Sequence, residues 1–563
     1  MGYSCGMTAL RLLLWCIAGS ALVQVVIWST GTGNPYRFSQ IFWYLLTAYD
    51  THGNLLLAAA AVCAFLLRRR PHALRIVRFA AEHPWTLAAV AFPLLCLGSL
   101  RVYHDYPLSM DEYAAVFQAR AFAAGRLSGS FPPELLDRLI PSFFQNLFLR
   151  VSPSSGAVAS GYWPGFALLL APFAWLDISW AANPAIGALT LPAVHHLARQ
   201  VGGTRESAGW ALMLTAASPS FVVSSISYYS MPAHLLCNLL YASLLLNPTV
   251  ARALLAGLLG SLALTLHQPV PHMLFSLPFL VWLAIRPGSW GILAALLLGY
   301  LPLSLVLGFG WHYHLLEVMR IAHPAGAGSA AGVVPATPSA LESLGSLLSG
   351  AITLPQPGTI AARVAGLGKT WAWGCAGLMI LAAYGYSAAR SRPGVRVLGA
   401  ALAATFIGYF FFSQDQGHGW GYRYLHSALF VMPVLASIAL VATQPGWNAP
   451  EVRGMVSWGI ALSLIFANAL RLTQVDAFIG RHLAQVPPLA RQADRERPEL
   501  VLVDIRSGFY AQDMVQNDPF LRGPRTVMLR ISPERDAELV AKHFPGYLKT
   551  DEGKWGALWK PVP

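Results

Sequence analysis

Apolar residues run along most of this chain in stretches long enough to cross a bilayer, each closed by a short polar segment. A crossing takes roughly 20 apolar residues. On that measure the pattern predicts thirteen spans, at about 8–29, 52–67, 85–102, 181–198, 207–225, 230–247, 252–268, 271–285, 290–309, 370–389, 396–412, 425–442 and 453–472. The first has the apolar middle of a signal peptide. It lacks a small-residue cleavage site and more spans follow, so it reads as an anchor. A further stretch, 161–176 (GYWPGFALLLAPFAWL), holds Pro164 and Pro172, which disfavour a straight helix. It reads as an interfacial or re-entrant segment.

After residue 480 the pattern changes. PELVLVDI, RTVMLRI and WGALWKPV read as strands, and SPERDAELVAKHF as a helix opened by Ser532 or Pro533. The fold class is therefore an α-helical polytopic membrane protein with a small C-terminal α/β domain. Its parts are 1–84, two N-terminal spans and a basic loop; 85–475, a membrane module; and 480–563, a soluble domain.

Composition agrees. Hydrophobic residues make up 55% and charged residues 11%, against roughly 45–50% and about 25% in soluble chains. Residues 480–563 hold 24 of the charged side chains, 13 basic and 11 acidic, and the first 479 residues have one lysine, Lys369. The net charge of +13 is thus mostly loop arginine, which orients membrane proteins, and no sign of nucleic-acid binding. Arg68, Arg69, Arg70, Arg75, Arg78, Arg199, Arg205, Arg252, Arg286, Arg390, Arg392 and Arg396 all fall on one side when thirteen spans are counted. With that side cytoplasmic, the tail and three loops lie outside: 103–180, 310–369 with its linker-like AGAGSAAGVVPATP, and 413–424, SQDQGHGWGYRY. Five of the six cysteines sit in apolar stretches and none forms a CxxC pair, so they read as buried thiols.

The candidate chemistry gathers in the outer loops. Ser109 and Glu112 have capping-box spacing, so a helix starts at Ser109-Met110-Asp111-Glu112. Two acids also simply favour a helix N-terminus. The functional reading makes Glu112 the cap and Asp111 a general base facing a cavity. His312, His314 and Glu317 sit in WHYHLLE; they offer metal ligands, although the HxH spacing does not put both histidines on one helix face. His418 and Arg423 lie in the last outer loop, with Tyr422 and Tyr424 beside Arg423. His267 and His272 flank a kink at His267-Gln268-Pro269, and Tyr228, Tyr229, Ser230 and His234 lie at a turn between spans. Interfacial aromatics and anchoring arginines account for several of these equally well. P-loop, GxGxxG, GxSxG and zinc-spaced motifs are missing, which disfavours a soluble nucleotide donor.

Taken in order, the acidic pair and ARAFAAGRL, then GYWPGFALLLAPF, HHLARQVGGTRESAGWALMLTAASPSF, SLALTLHQPVPHMLFSLPFLVWL and GWGYRYLHSALFVMP resemble polytopic glycosyltransferases of the GT-C fold. The likeness covers roughly 85–470 and is greatest to the bacterial family 39-like branch of protein mannosyltransferases and lipid A aminoarabinose transferases. The resemblance implies an inner-membrane enzyme that moves a sugar from a polyprenyl phosphate carrier to a hydroxyl of a lipid, glycan or protein outside, with inversion. It implies Asp111, or failing that Glu112, as the base. It implies donor or phosphate contacts from Arg423, Tyr424, His418, His267, Gln268, His312, His314, Tyr228 and Tyr229. A divalent metal shared with Asp111 stays open. The departure is Gln268, where relatives often place an Arg; Arg423 is the replacement cation. Two other readings stand: a lipid or solute transporter, and an envelope assembly factor without activity. A transporter puts ionisable residues inside its spans, and the predicted span interiors here are nearly free of acids.

Overall fold

The computed structural model describes residues 2–31, 40–320, 353–412, 415–442, 446–493 and 497–562. The linker-like AGAGSAAGVVPATP lies outside the described residues.

Helices form the body. Six of them among the described residues are long and apolar enough to cross a membrane: Met7–Gly31, Ile41–Leu67, Pro84–Arg101, Trp290–Met319, Pro393–Phe411 and Pro450–Ala484. Six further apolar helices are shorter, 10–17 residues, and the helices Ala182–Gly202, Arg205–Ala216 and Pro357–Ala372 pack among them. Several expected spans therefore have different bounds. The span expected at 52–67 is the second part of a helix that starts at Ile41 and passes through a π turn at Leu46–Asp50. The span expected at 207–225 breaks at Ser218, because Pro219 cannot continue the ladder and opens its own turn, Pro219–Ser224. The span expected at 370–389 straddles the end of one helix at Ala372 and the start of another at Leu378, separated by Gly377 in the left-handed region at φ 80°. The segment 161–176 contains a short helix, Gly165–Trp175, with Pro164 at its N-cap.

Small residues let these helices meet closely. A Cβ on Gly257 would stand 2.1 Å from the Leu296 carbonyl oxygen, and one on Gly299 would stand 2.3 Å from that of Leu254. The helices Val250–Thr265 and Trp290–Leu303 therefore touch backbone to backbone, as membrane helices do when glycine faces glycine.

One expectation fails inside the bundle. Asp50 lies within the long Ile41–Leu67 helix and is fully buried. Its Oδ2 meets Lys369 Nζ at 2.6 Å, and its Oδ1 accepts from Trp373 Nε1 at 2.6 Å and pairs with Arg471 Nη1 at 3.1 Å. All three charged side chains are 1% exposed. The lone lysine of the body thus has a buried carboxylate as partner. The cluster is closed rather than lining a path, and it ties the N-terminal helices to Pro357–Ala372 and Asn468–Ala484.

Two small sheets sit at the end of the bundle where the first long loop emerges. In that loop β1 (Gly129–Ser130), β3 (Ala157–Ser160) and β2 (Leu149–Val151) form an antiparallel sheet in that order. The tail forms a four-stranded sheet of β4 (Glu499–Val503), β5 (Arg525–Leu529), β6 (Tyr547–Gly553) and β7 (Gly556–Pro561), in the order β5-β4-β7-β6. Strands β4 and β5 are parallel and the helix Pro533–His543 follows β5. Every residue of β4 is buried. Leu500, Leu502 and Met528 share a core with Phe131, Leu135, Leu139 and Phe144 of the first loop, and Val501 and Val503 pack on Met514 and Val515. The tail is thus fastened to the loop by a common core and by Arg138, which pairs with Asp536 at 2.9 Å.

Candidate active site

The helix Met110–Ala123 begins at Ser109, whose extended backbone makes it the N-cap, and Ser109 and Glu112 form the capping box. Glu112 is fully buried. Its Oε1 accepts from Tyr103 Oη at 2.9 Å and Tyr228 N at 2.8 Å, and its Oε2 from Leu108 N at 3.0 Å and Ser109 N at 3.3 Å. Burial pushes its carboxyl up to about 7 against the pull of these donors. Both oxygens are occupied in holding the helix start against the Tyr228 turn.

Successive helical residues point about 100° apart, so Asp111 faces elsewhere. It keeps part of its surface open, with 20% side-chain exposure. It accepts from the Tyr162 hydroxyl, and its Oδ2 receives Arg423 Nη1 at 2.8 Å. Burial works to raise its carboxyl, but the charge of Arg423, with the hydrogen bonds from Tyr162 and Arg423, outweighs it and holds Asp111 below the usual carboxylate range. It is an anion at neutral pH.

Arg423 is delivered by the glycine-rich turn GHGWGYR. Its Nη1 also donates to the carbonyls of Gln416 at 2.8 Å and His418 at 2.7 Å. Gly419 and Gly421 have φ of 152° and 68°, and a Cβ on Gly419 would stand 2.2 Å from Arg423 Cδ. The turn can wrap the guanidinium only because these positions lack side chains. The three bonds leave from one nitrogen; Nε and Nη2 make none to the described residues.

Tyr229 closes the arrangement. The Arg423 guanidinium lies over its ring at 4.2 Å. Its hydroxyl meets Ser109 Oγ at 2.9 Å and His418 Nδ1 at 2.8 Å. His267 stacks on Tyr162, ring centres 3.7 Å apart. Burial, with Arg423 adding to it, pushes His418 down to about 3, and burial pushes His267 down to about 4. Both histidines are neutral at neutral pH, so Arg423 is the standing positive charge beside Asp111.

The remaining candidates are more scattered. Tyr228 is buried behind Glu112, and its hydroxyl bonds Asp105. Tyr424 turns away and stacks on Tyr409 at 4.2 Å, under the Arg363 guanidinium. Gln268 is exposed. His314 meets Ser128 Oγ at 2.9 Å, and His312 Nε2 is enclosed without a hydrogen bond. Among the described residues no group of three or more His, Cys, Asp or Glu is placed to hold a metal ion, so His312, His314 and Glu317 do not converge. Tyr162 was not foreseen, because a single tyrosine in an apolar segment carries no pattern; its neighbour motif GYWPGF was the available signal.

No family model matches the chain, and a search of curated proteins finds no match. Among solved structures, the chain is similar to ArnT from Cupriavidus metallidurans bound to undecaprenyl phosphate, with a TM-score of 0.53 at 13% identity over 85% of this chain and 98% of that one. The apo form of the same protein aligns with a TM-score of 0.44 at 14% identity, over 84% and 98% of the two chains. The chain has the ArnT-like GT-C fold: a polytopic helical membrane body with a small C-terminal sheet.

Proposed function

We propose that this chain is a membrane glycosyltransferase that takes a sugar from a polyprenyl phosphate carrier and passes it to an acceptor hydroxyl on the extracytoplasmic face. The observation that carries this is the Asp111–Arg423 pair at 2.8 Å, which sets a partly exposed carboxylate beside a cation whose Nε and Nη2 bond none of the described residues. The neighbour with undecaprenyl phosphate bound supports a lipid phosphate as the donor's carrier.

The chemistry follows from those groups. The acceptor oxygen attacks the anomeric carbon from the face opposite the phosphate, the bond from carbon to phosphate oxygen breaks, and the configuration inverts. The acceptor proton passes to Asp111. The phosphate oxygen gains negative charge, and Arg423 Nε–H and Nη2–H stabilise it where water is largely excluded. Asp111 is a weak base while it is paired with Arg423. A phosphate drawing on the same guanidinium weakens that hold, so donor binding strengthens the base. Tyr162 and Tyr229 orient the carboxylate and the guanidinium. Glu112 serves the fold and not the reaction.

Two experiments test this. Purified protein should bind undecaprenyl phosphate, and Arg423→Ala should lose most of that affinity. Mass spectrometry of envelope lipids, glycans and proteins from a deletion strain should find one sugar missing. A complete complement of sugars, or an intact glycan accumulating inside, would point to transport instead. The orientation is tested by cysteine labelling at Ser155 and Ser507, both exposed and both expected to react from outside.

A further inference from the structure

The turn Ala511–Met514 of the tail stands over the start of the Asp111 helix, held there from several sides. Gln516 Nε2 donates to the Pro107 carbonyl at 2.7 Å. Tyr113 Oη donates to the Asn517 carbonyl and accepts from Asn517 N, both at 2.8 Å. Ser130 N donates to the Pro519 carbonyl at 2.8 Å. Ile41 N donates to the Tyr510 hydroxyl at 3.2 Å, and Phe509 N to Gln485 Oε1 at 2.5 Å. Tyr510 takes a left-handed φ of 54°, unusual for an aromatic residue. So a strained turn is clamped onto residues 107–113, with Asp513 at its centre.

Asp513 is the acid of this turn. Its side chain makes no hydrogen bond or ion pair among the described residues, and it is only half-buried. The acids around it behave differently: Asp111 has Arg423, and Glu499 has Arg525 at 2.8 Å. Burial and then the charge of Asp111 push the Asp513 carboxyl up to about 8, so the two acids lie within reach of each other's field. The Tyr106 hydroxyl, which has Asp513 among its neighbours, is enclosed and has no hydrogen-bond partner among the described residues. A half-buried carboxyl and an enclosed hydroxyl with no protein partner leave hydrogen-bonding capacity unmet. An anionic phosphate does not fit there, because Asp513 has no cation paired with it among the described residues. A hydroxyl-bearing molecule does, since it both donates and accepts.

We propose that the tail supplies Asp513, with the Tyr106 hydroxyl, as the acceptor-binding side of the site, holding the hydroxyl groups of a polyhydroxylated acceptor next to Asp111. This rests on the transferase reading and adds to it that the C-terminal part selects the acceptor while Arg423 selects the donor.

The test uses the deletion strain carrying the full-length chain, with the missing sugar as readout, alongside undecaprenyl phosphate binding to each purified variant. Asp513→Asn should slow sugar addition roughly 10- to 100-fold, the worth of a hydrogen bond to a charged or strongly polar group. Asp513→Glu should recover part of it. Tyr106→Phe, which removes a hydroxyl the protein does not use, should slow it about 2- to 10-fold. All three should bind undecaprenyl phosphate as the unaltered protein does. Wild-type rates in Asp513→Asn and Tyr106→Phe would overturn the proposal and leave the transferase reading intact. Loss of undecaprenyl phosphate binding together with the rate would also overturn it, by making Asp513 a support of the fold. A deletion strain lacking no sugar would overturn the transferase reading itself.

Discussion

Arg423 reaches Asp111 Oδ2 from Nη1 at 2.8 Å, and the same nitrogen holds the carbonyls of Gln416 and His418 at 2.8 and 2.7 Å. One edge of the guanidinium is thereby locked to the protein and the other is left for a ligand. Lysine has no second edge. Arg423→Lys is expected to keep the protein folded and to lower undecaprenyl phosphate affinity by about 10-fold or more, as loss of a charge-assisted bond does. Equilibrium binding to the purified protein reads this directly.

Gly419 makes the locked edge attainable. Its φ of 152° and the 2.2 Å gap from its Cβ position to Arg423 Cδ leave no space for a methyl group. Gly419→Ala should displace the guanidinium while the membrane body stays intact. Misplacement by about 1 Å costs on the order of 10²-fold in rate. Sugar transfer should fall on that scale, with the thermal midpoint of the solubilised protein little changed.

Glu112 gives the opposite pattern. All four of its bonds come from donors, two to each oxygen. Glu112→Gln turns an amide against two of those donors, and each stranded donor costs about 1–3 kcal/mol. The expected result is a fall in thermal stability and yield. The pH dependence has a definite sign. The folded protein binds the Glu112 proton more tightly than the unfolded chain, since burial raises the carboxyl from 4.5 to about 7. This contribution is complete below pH 4.5 and fades as pH rises through about 7. Melting curves between pH 5 and 8, about the range of that loss, should show a slope that Glu112→Gln lacks.

The Asp50 cluster holds two cations on one carboxylate. Removing the anion strands both; removing Lys369 leaves a balanced pair with Arg471. Breaking a buried pair by deleting one partner costs about 3–5 kcal/mol. Asp50→Asn should therefore destabilise by that order or more, and Lys369→Met by clearly less. Thermal unfolding in detergent compares them, and equal losses would count against this charge balance.

Local rules made some of this legible and not the rest. Ser109 and Glu112 form a capping box because the motif is local, and β4, β5, β7 and the helix Pro533–His543 carry their own apolar runs. Strand β6 was not foreseen: YLKTDEG is exposed along most of its length and its backbone is held by pairing with β7, so no alternation marks it. Asp50 precedes the span expected at 52–67, whereas the helix runs through it from Ile41 and meets its charge from residues more than 300 positions away. Tyr162 meets Asp111 from 51 positions away and Gln516 meets Pro107 from 409, separations to which sequence spacing is blind.

The most direct test of the central claim is Asp111→Asn, which keeps the shape of the side chain and one acceptor oxygen for Arg423 and removes its basicity. Sugar transfer and undecaprenyl phosphate binding should be measured on the same purified variant. With Asp111 as the base, transfer should fall by about 10²–10⁴, while undecaprenyl phosphate still binds through Arg423. Transfer at the unaltered rate in Asp111→Asn would contradict the account, because the carboxylate that Arg423 and Tyr162 orient would then take no part in the reaction.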